Sequence, residues 1–375
     1  MNIPRIYDDL AKYIKPGKAL VIYGPRRVGK TTIMENFLSK CKLKYRLATG
    51  DDISVQNILG SQNMKEILEY TEDYELIAID EAQKIENIGI ALKMIVDHCP
   101  KIRIIATGSS SFELAGQIGE PLTGRKTTLT LYPAAQMELK QLYNKHDLKE
   151  KLPEYLVYGA YPDIIAAGKP DEKAALLHEL VNSYLLRDIL ELEKVKGSKI
   201  LMDLLRLLAF QVGNEVSLTE LSKHLGIDCK TVGRYIDLFE KSFILYNLRG
   251  FSRNLRNEVS KKGKYYFYDN GIRNAVIANF NSLELRNDTG ALWENFLFTE
   301  RLKKQAYCKI LCNNFFWRTW DQKEIDFIEE RDGKLYGYEF KWGDKAVKIP
   351  RGWKENYPDS EFMIINKNNY LEFIT

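Results

Sequence analysis

The chain has 375 residues, more than one hydrophobic core ordinarily organises, so two or three domains are expected. Hydrophobic residues make up 45% and charged residues 28%, an ordinary balance for a folded globular protein rather than a disordered or fibrous one. A net charge of +4 excludes nucleic-acid binding driven by total charge, so any basic surface must come from local clustering.

The N-terminus, Met1-Asn2-Ile3-Pro4-Arg5, lacks the apolar core of a signal peptide, and no uncharged apolar run reaches membrane-spanning length. Neither export nor membrane insertion is expected. Five cysteines (Cys41, Cys99, Cys229, Cys308 and Cys312) form no C-x-x-C pair, which favours reduced thiols in a cytoplasmic protein. Cys308 and Cys312 stand four apart in an apolar run and are expected to be buried on one face of a strand.

Ala19-Leu20-Val21-Ile22-Tyr23 reads as a buried parallel strand. It leads into Gly24-Pro25-Arg26-Arg27-Val28-Gly29-Lys30-Thr31, which satisfies the phosphate-binding pattern G-x-x-x-x-G-K-[ST], and Thr32 opens a run of helical spacing. Strand, glycine loop and helix in that order turn backbone N–H groups and a helix N-terminus toward a polyphosphate. Lys30 would reach the β- and γ-phosphates of ATP, and Thr31 would ligate Mg²⁺.

Tyr45–Thr49 reads as a second strand, with two helical stretches to about residue 72. Leu76-Ile77-Ala78-Ile79-Asp80-Glu81 is an apolar strand delivering Asp80 to the Mg²⁺, with Glu81 placed to polarise the attacking water. The strand between the two motifs points to the division of P-loop ATPases with an added central strand and a catalytic glutamate. Arg103–Thr107 is the next strand, and Gly108-Ser109-Ser110-Ser111 offers either a γ-phosphate sensor or a helix N-cap. Arg125 precedes the strand-like run Thr127–Leu131, where its planar charge would offset developing transition-state charge; an ordinary surface arginine is the alternative.

From Pro153 to Glu193 the pattern is helical, punctuated at Tyr158-Gly159-Ala160-Tyr161-Pro162-Asp163. Ile200–Val212 is an amphipathic helix, Ser217-Leu218-Thr219-Glu220 opens a second with a capping box, and a third follows Gly226 from Asp228 to Lys241. This is a helix-turn-helix pattern. On the third helix Lys230, Thr231, Arg234 and Tyr235 are expected outside, with Val232, Ile236, Leu238 and Phe239 inside. Ile244–Leu248 and Lys264–Tyr268 would be wing strands, joined by a loop carrying Arg249, Arg253, Arg256, Lys261 and Lys262 against Glu258 alone. Such a loop suits DNA phosphates; winged helices also dock proteins.

After Gly290 a helix opens over Ala291–Leu297, followed by strand-like runs. Asp326 lies in Glu324–Ile328, and Glu339 and Lys341, two apart in Tyr336–Trp342, share a face. Asp326, Glu339 and the Phe340 carbonyl, with Glu294 from the helix, would hold Mg²⁺ or Mn²⁺, and Lys341 would orient or deprotonate a water. The alternative is a pair of strand-edge carboxylates neutralised by Lys341.

Seven segments together, Gly24–Thr31, Ile79–Gln83, Thr107–Ser110, Gly159–Pro162, Arg187–Ile189, Tyr266–Ile272 and Glu339–Gly343, resemble prokaryotic AAA-family ATPases. In that group a C-terminal region of unassigned function joins a winged helix to a domain like the PD-(D/E)XK endonucleases. The resemblance implies an α/β multidomain chain: a P-loop AAA-type parallel-sheet ATPase domain (1–145), a helical lid (146–197), a winged helix-turn-helix (198–284) and a restriction-endonuclease-like α/β domain (285–375). It implies nucleotide binding by the P-loop and Asp80, and an acidic-acidic-lysine core at Asp326, Glu339 and Lys341. Ile325 stands where the usual endonuclease signature has proline. It places Arg125 where such ATPases carry an arginine finger, which allows a homo-oligomer. Three roles stay open: an ATP-driven DNA-binding protein, a nucleotide-gated switch that docks a protein partner, and an active metal-dependent nuclease.

Overall fold

The computed structural model describes residues 3–109, 122–185, 198–251, 263–319, 323–343 and 348–375. Its first sheet contains β1 (Lys18–Tyr23), β2 (Tyr45–Thr49), β3 (Leu76–Asp80), β4 (Arg103–Gly108) and β5 (Lys126–Thr130), all parallel, in the order β2-β3-β4-β1-β5. β1 is apolar throughout its inner length because both faces are covered. Leu20 and Ile22 enter one core, while Ala19, Val21 and Tyr23 enter the other. Helix α1 (Lys30–Leu38) packs into the first; α2 (Ile53–Gly60), α3 (Met64–Thr71) and α4 (Ile88–His98) pack into the second.

These elements fall within about two residues of where the sequence puts them. Their spatial order adds a correction. β2, which separates the two motifs along the chain, lies at the sheet edge, and the strand inserted between β1 and β3 is β4.

Past β5 come α5 (Gln136–Leu139), α6 (Lys145–Glu150), α7 (Leu152–Tyr158), α8 (Pro162–Ala166) and α9 (Pro170–Glu179), then a π-type turn over Leu180–Leu185. Gly159 makes the corner between α7 and α8. Its φ is 73°, and a Cβ there would meet the Asp269 carboxylate at 1.9 Å. Arg187, Asp188 and Ile189 lie outside the described residues.

Helices α10 (Ser198–Phe210), α11 (Leu218–Leu225) and α12 (Cys229–Lys241) follow. Gly226 closes α11 at a φ of 66°, and Asp228 caps α12 by accepting from the Thr231 amide at 2.9 Å. Lys230 and Arg234 are exposed and Thr231 is half-buried. Tyr235, expected outside, is buried: three residues after Val232 and four before Phe239, it falls on the apolar stripe.

β6 (Leu245–Gly250) and β7 (Lys264–Phe267) pair antiparallel, as a wing would. They do not stand apart from the C-terminal strands. Arg249 and Gly250 pair in parallel with Phe315 and Phe316 of β8 (Asn313–Arg318), which joins β6 and β7 to β9 (Glu324–Arg331), β10 (Lys334–Phe340) and β11 (Glu361–Ile365). The six strands run β11-β10-β9-β8-β6-β7, so the expected boundary at 284/285 does not separate two sheets. Pairing β6 with β8 also covers an otherwise open strand edge. Arg253, Arg256, Glu258, Lys261 and Lys262 lie outside the described residues.

Helices α13 (Asn270–Val276), α14 (Thr289–Tyr307), α15 (Arg351–Asn356) and α16 (Tyr370–Ile374) complete the fold. The 19-residue α14 is buried over most of its length, and Arg301 forks onto Glu329 of β9 at 2.5 and 2.9 Å. Because α14 runs to Tyr307, Cys308 ends a helix and is exposed while Cys312 is half-buried, so the two share no strand face. Among the described residues no helix is long and apolar enough to cross a membrane.

Candidate functional site

The loop between β1 and α1 is shaped by close approach. Gly24 has a φ of 148°, and a Cβ there would lie 2.0 Å from the Leu131 carbonyl oxygen, so only glycine fits. Arg27 and Gly29 are both left-handed, with φ of 58° and 95°. Lys30 is 6% exposed and donates to the carbonyls of Gly24 and Pro25, each at 2.8 Å. Thr31 Oγ1 donates to Asp80 Oδ2 at 2.9 Å, and the Thr107 hydroxyl at the end of β4 donates to Asp80 Oδ1.

Three strands adjacent in the sheet thus gather Lys30, Thr31, Asp80 and Thr107. From sequence Thr107 is the end of its strand and the first residue of the Thr107–Ser110 segment, with no role given to it; its position beside Asp80 follows from β4 lying next to β3. Ser109 is buried, and Ser110 and Ser111 lie outside the described residues. Glu81 follows with a φ of 48°, unusual for a non-glycine residue, and its Oε2 accepts from Gln83 Nε2 at 2.5 Å. A cleft of about 560 Å³ opens beside Thr31 and Asp80, lined also by Glu35, Thr49, Asp52 and Tyr70.

The amides of the first turn of α1 have no intrahelical acceptor, and two left-handed residues precede them; this arrangement fits a polyphosphate. The Thr31 hydroxyl and the Asp80 carboxylate fit Mg²⁺. Within the loop Val28 is buried and Arg26 half-buried, and Thr32 in the first turn of α1 is exposed. Arg27 reaches away from β1 to Glu179 of α9 at 2.8 Å and Asp163 of α8 at 3.7 Å.

Arg125 does not join this group. The register Ala19↔Lys126 sets it beside the start of β1, and the loop follows the other end, roughly 15 Å away along an extended strand. It pairs with Asp97 at 2.5 Å.

Arg5, which no motif marks, is buried against the loop. It donates to the Val28 carbonyl and to the Tyr132 carbonyl at 2.6 Å, and pairs with Glu138 at 3.1 Å. Burial works against its charge, but Glu138 and Tyr307 outweigh burial and hold its pKa above the ordinary value. The Tyr132 amide donates to the Tyr307 hydroxyl at 3.1 Å, and the Gln136 amide to Glu300 at 2.6 Å. The segment after β5 is therefore clamped between the loop and α14.

The same helix carries Glu294 into a second cluster. Asp326 of β9 accepts from the Phe340 amide at 2.7 Å, and Lys341 pairs with Glu339 at 2.6 Å. Glu294 accepts from the Tyr266 hydroxyl at 2.7 Å and faces Lys264 at 3.8 Å; Lys264 also contacts Glu324. Burial, then Glu294 and Glu339, push Asp326 well above the usual carboxylate range. Burial likewise raises Glu294, against the opposing pull of Lys264 and Tyr266.

Lys264, Tyr266 and Glu324 were not singled out from sequence as site residues. Period-two spacing held the signal, since Glu324 shares a face with Asp326, and Lys264 with Tyr266. β9 and β10 are interior strands, so these carboxylates do not lie on a sheet edge, but Lys341 does pair with Glu339, as that alternative expects. Among the described residues no three His, Cys, Asp or Glu side chains are gathered as a finished ligand set. Glu339 Oε2, however, is buried with no hydrogen-bond partner in the described structure, and the cluster holds more carboxylates than lysines. Oxygen donors in excess of cations fit a hard divalent ion on Asp326 and Glu339.

Residues 16–140 match the family described as "AAA domain". Residues 149–284 and 289–373 match two domains of unknown function, DUF8612 and DUF4143. An uncharacterized protein of Haemophilus influenzae is 25% identical over 94% of this chain and 88% of its own length. Uncharacterized proteins of Mycobacterium tuberculosis and Methanocaldococcus jannaschii are each 24% identical, over 88% and 86% of this chain and 72% and 74% of their own lengths. Two solved RuvB variants from Thermotoga maritima overlap 61% of this chain and 81% of theirs at 17% identity, with TM-scores of 0.28 and 0.27, too loose to define a shared fold. With its parallel sheet and P-loop, the N-terminal part of this chain is similar to AAA domains over residues 16–140.

Proposed function

We propose that the protein is a Mg²⁺-dependent ATP hydrolase that couples nucleotide state to DNA, with a C-terminal carboxylate site that acts on or senses phosphodiester. The observation that carries the hydrolase reading is the convergence of the Thr31 and Thr107 hydroxyls on Asp80 beside Lys30. Lys30 and the loop amides hold the triphosphate, Thr31 and Asp80 hold the metal, and Glu81 orients water. Bound Mg²⁺ supplies charge neutralisation at the β- and γ-phosphates.

The DNA reading is supported by exposed Lys230 and Arg234 on α12 and exposed Arg249 at the end of β6. In the C-terminal cluster Asp326 and Glu339 would hold a divalent ion and Lys341 would orient water. Steady-state ATP turnover with and without DNA tests the whole reading; no turnover with intact folding sinks it. Nicking of plasmid in Mn²⁺ that survives in Lys341→Ala would argue against the C-terminal site as its source.

A nucleotide-gated switch that docks a protein is the second reading. It is favoured by the ion pairs of Arg27 with Glu179 and Asp163, which tie the phosphate loop to the following helices. Salt-insensitive or absent DNA binding would select it.

A further inference from the structure

We infer that Lys264 is a resident cation of the C-terminal cluster, occupying the place of a second metal and limiting the site to one divalent ion on Asp326 and Glu339. This rests on the metal-binding reading of that cluster. Lys264 sits on β7, separated in the sheet from β9 by β6 and β8, yet its ammonium contacts Glu324 of β9 and lies 3.8 Å from Glu294 Oε1 on α14. Its side chain is 2% exposed. A buried ammonium persists only where carboxylates compensate it, and here Glu324 in contact and Glu294 at 3.8 Å stand against it.

The two carboxylates nearest Lys264 are committed. Glu294 Oε1 faces the ammonium and also accepts from Tyr266, and Glu324 contacts the ammonium and lies 3.7 Å from Arg318. The backbone of Gly213 closes over Glu294: its φ is 75°, and a Cβ there would stand 3.0 Å from Oε1. On the other side Asp326 accepts from the Phe340 amide at 2.7 Å and Glu339 Oε1 pairs with Lys341 at 2.6 Å, while the buried Glu339 Oε2 has no hydrogen-bond partner among the described residues. The cluster is therefore divided: the buried Lys264 faces Glu294 and Glu324, while the other half, paired with the half-buried Lys341, keeps a carboxylate oxygen of Glu339 free of any hydrogen bond among the described residues. A second divalent ion beside Glu294 would have to displace the ammonium.

The test is Mn²⁺ titration of the nucleotide-free full chain, with free ion counted by electron paramagnetic resonance. C-terminal ions are those lost in Asp326→Asn/Glu339→Gln, with Glu294→Gln added to that pair to remove a second ion. One such ion is expected in the wild type and in Lys264→Arg, and two in Lys264→Met. The melting temperature of Lys264→Met should fall without metal and recover on adding Mn²⁺. If Lys264→Met does not fold, Lys264→Gln, which is neutral, keeps both Glu294 and Glu324 and can hydrogen-bond to them, is expected to take two ions. Two ions in the wild type, or one in the lysine-free variants, overturns the inference. No C-terminal ion in the wild type overturns the metal reading itself, and the inference with it.

Discussion

Asp80 shows how much one carboxylate depends on its neighbours. Each of its oxygens receives a hydroxyl, one from the loop threonine and one from Thr107, so its orientation is fixed before any ligand arrives. Lys30→Ala should abolish ATP turnover while leaving the far-ultraviolet circular dichroism spectrum unchanged; measurable turnover at wild-type rate would remove the P-loop assignment. Gly24→Ala is a test of shape rather than charge. With a φ of 148° and a carbonyl 2.0 Å from the new Cβ, the variant should lose about 2 kcal/mol in urea unfolding along with nucleotide affinity. Gly24, Lys30, Thr31 and Asp80 were legible from sequence because their motif fixes residue type at fixed spacing. Arg5, and the contact of Thr107 with Asp80, were not, because what brings them to the site is adjacency in space.

Helix α14 links the two candidate sites. Glu294 near its start faces the carboxylate cluster, Glu300 and Tyr307 hold the segment after β5, and Arg301 grips Glu329. Its N-terminus is fastened by Asp288, which pairs with Arg273 at 2.5 Å and Arg286 at 2.8 Å. Burial would raise the Asp288 pKa, but hydrogen bonds from Arg286 and Arg273 overcome it and hold the group at about 2. The unfolded value is about 4, so the folded state binds fewer protons between the two. The pair's contribution is complete above the unfolded value and is lost as pH falls toward the folded one. Asp288→Asn should lower the urea midpoint at neutral pH and flatten its acid decline over that window; an unchanged acid limb would show that Asp288 does not govern it. The length of α14 was only partly visible in sequence, since a helix buried on most sides loses the polar face that marks its period.

At the scale of the molecule, a continuous apolar core runs from Ile3 beneath the ATPase sheet through the middle helices to Ile374. Arg5 is the polar bolt in that junction. Arg5→Met leaves Glu138 buried without its guanidinium and should cost about 3 kcal/mol, read by thermal or urea unfolding; a loss under about 0.5 kcal/mol, the level of an ordinary surface substitution, would show the tether to be dispensable. The sequence by itself determined the phosphate loop, the strand ending in Asp80 and the acidic-lysine spacing on β10. Each is local: a glycine pattern, an apolar run or a period of two dictates it. Only the tertiary structure decided that β4 stands between the two nucleotide motifs, that β6 and β7 continue the C-terminal sheet, and that Lys264 meets Glu324. Strand order and long-range register depend on which buried faces match, and no short window of sequence contains both partners.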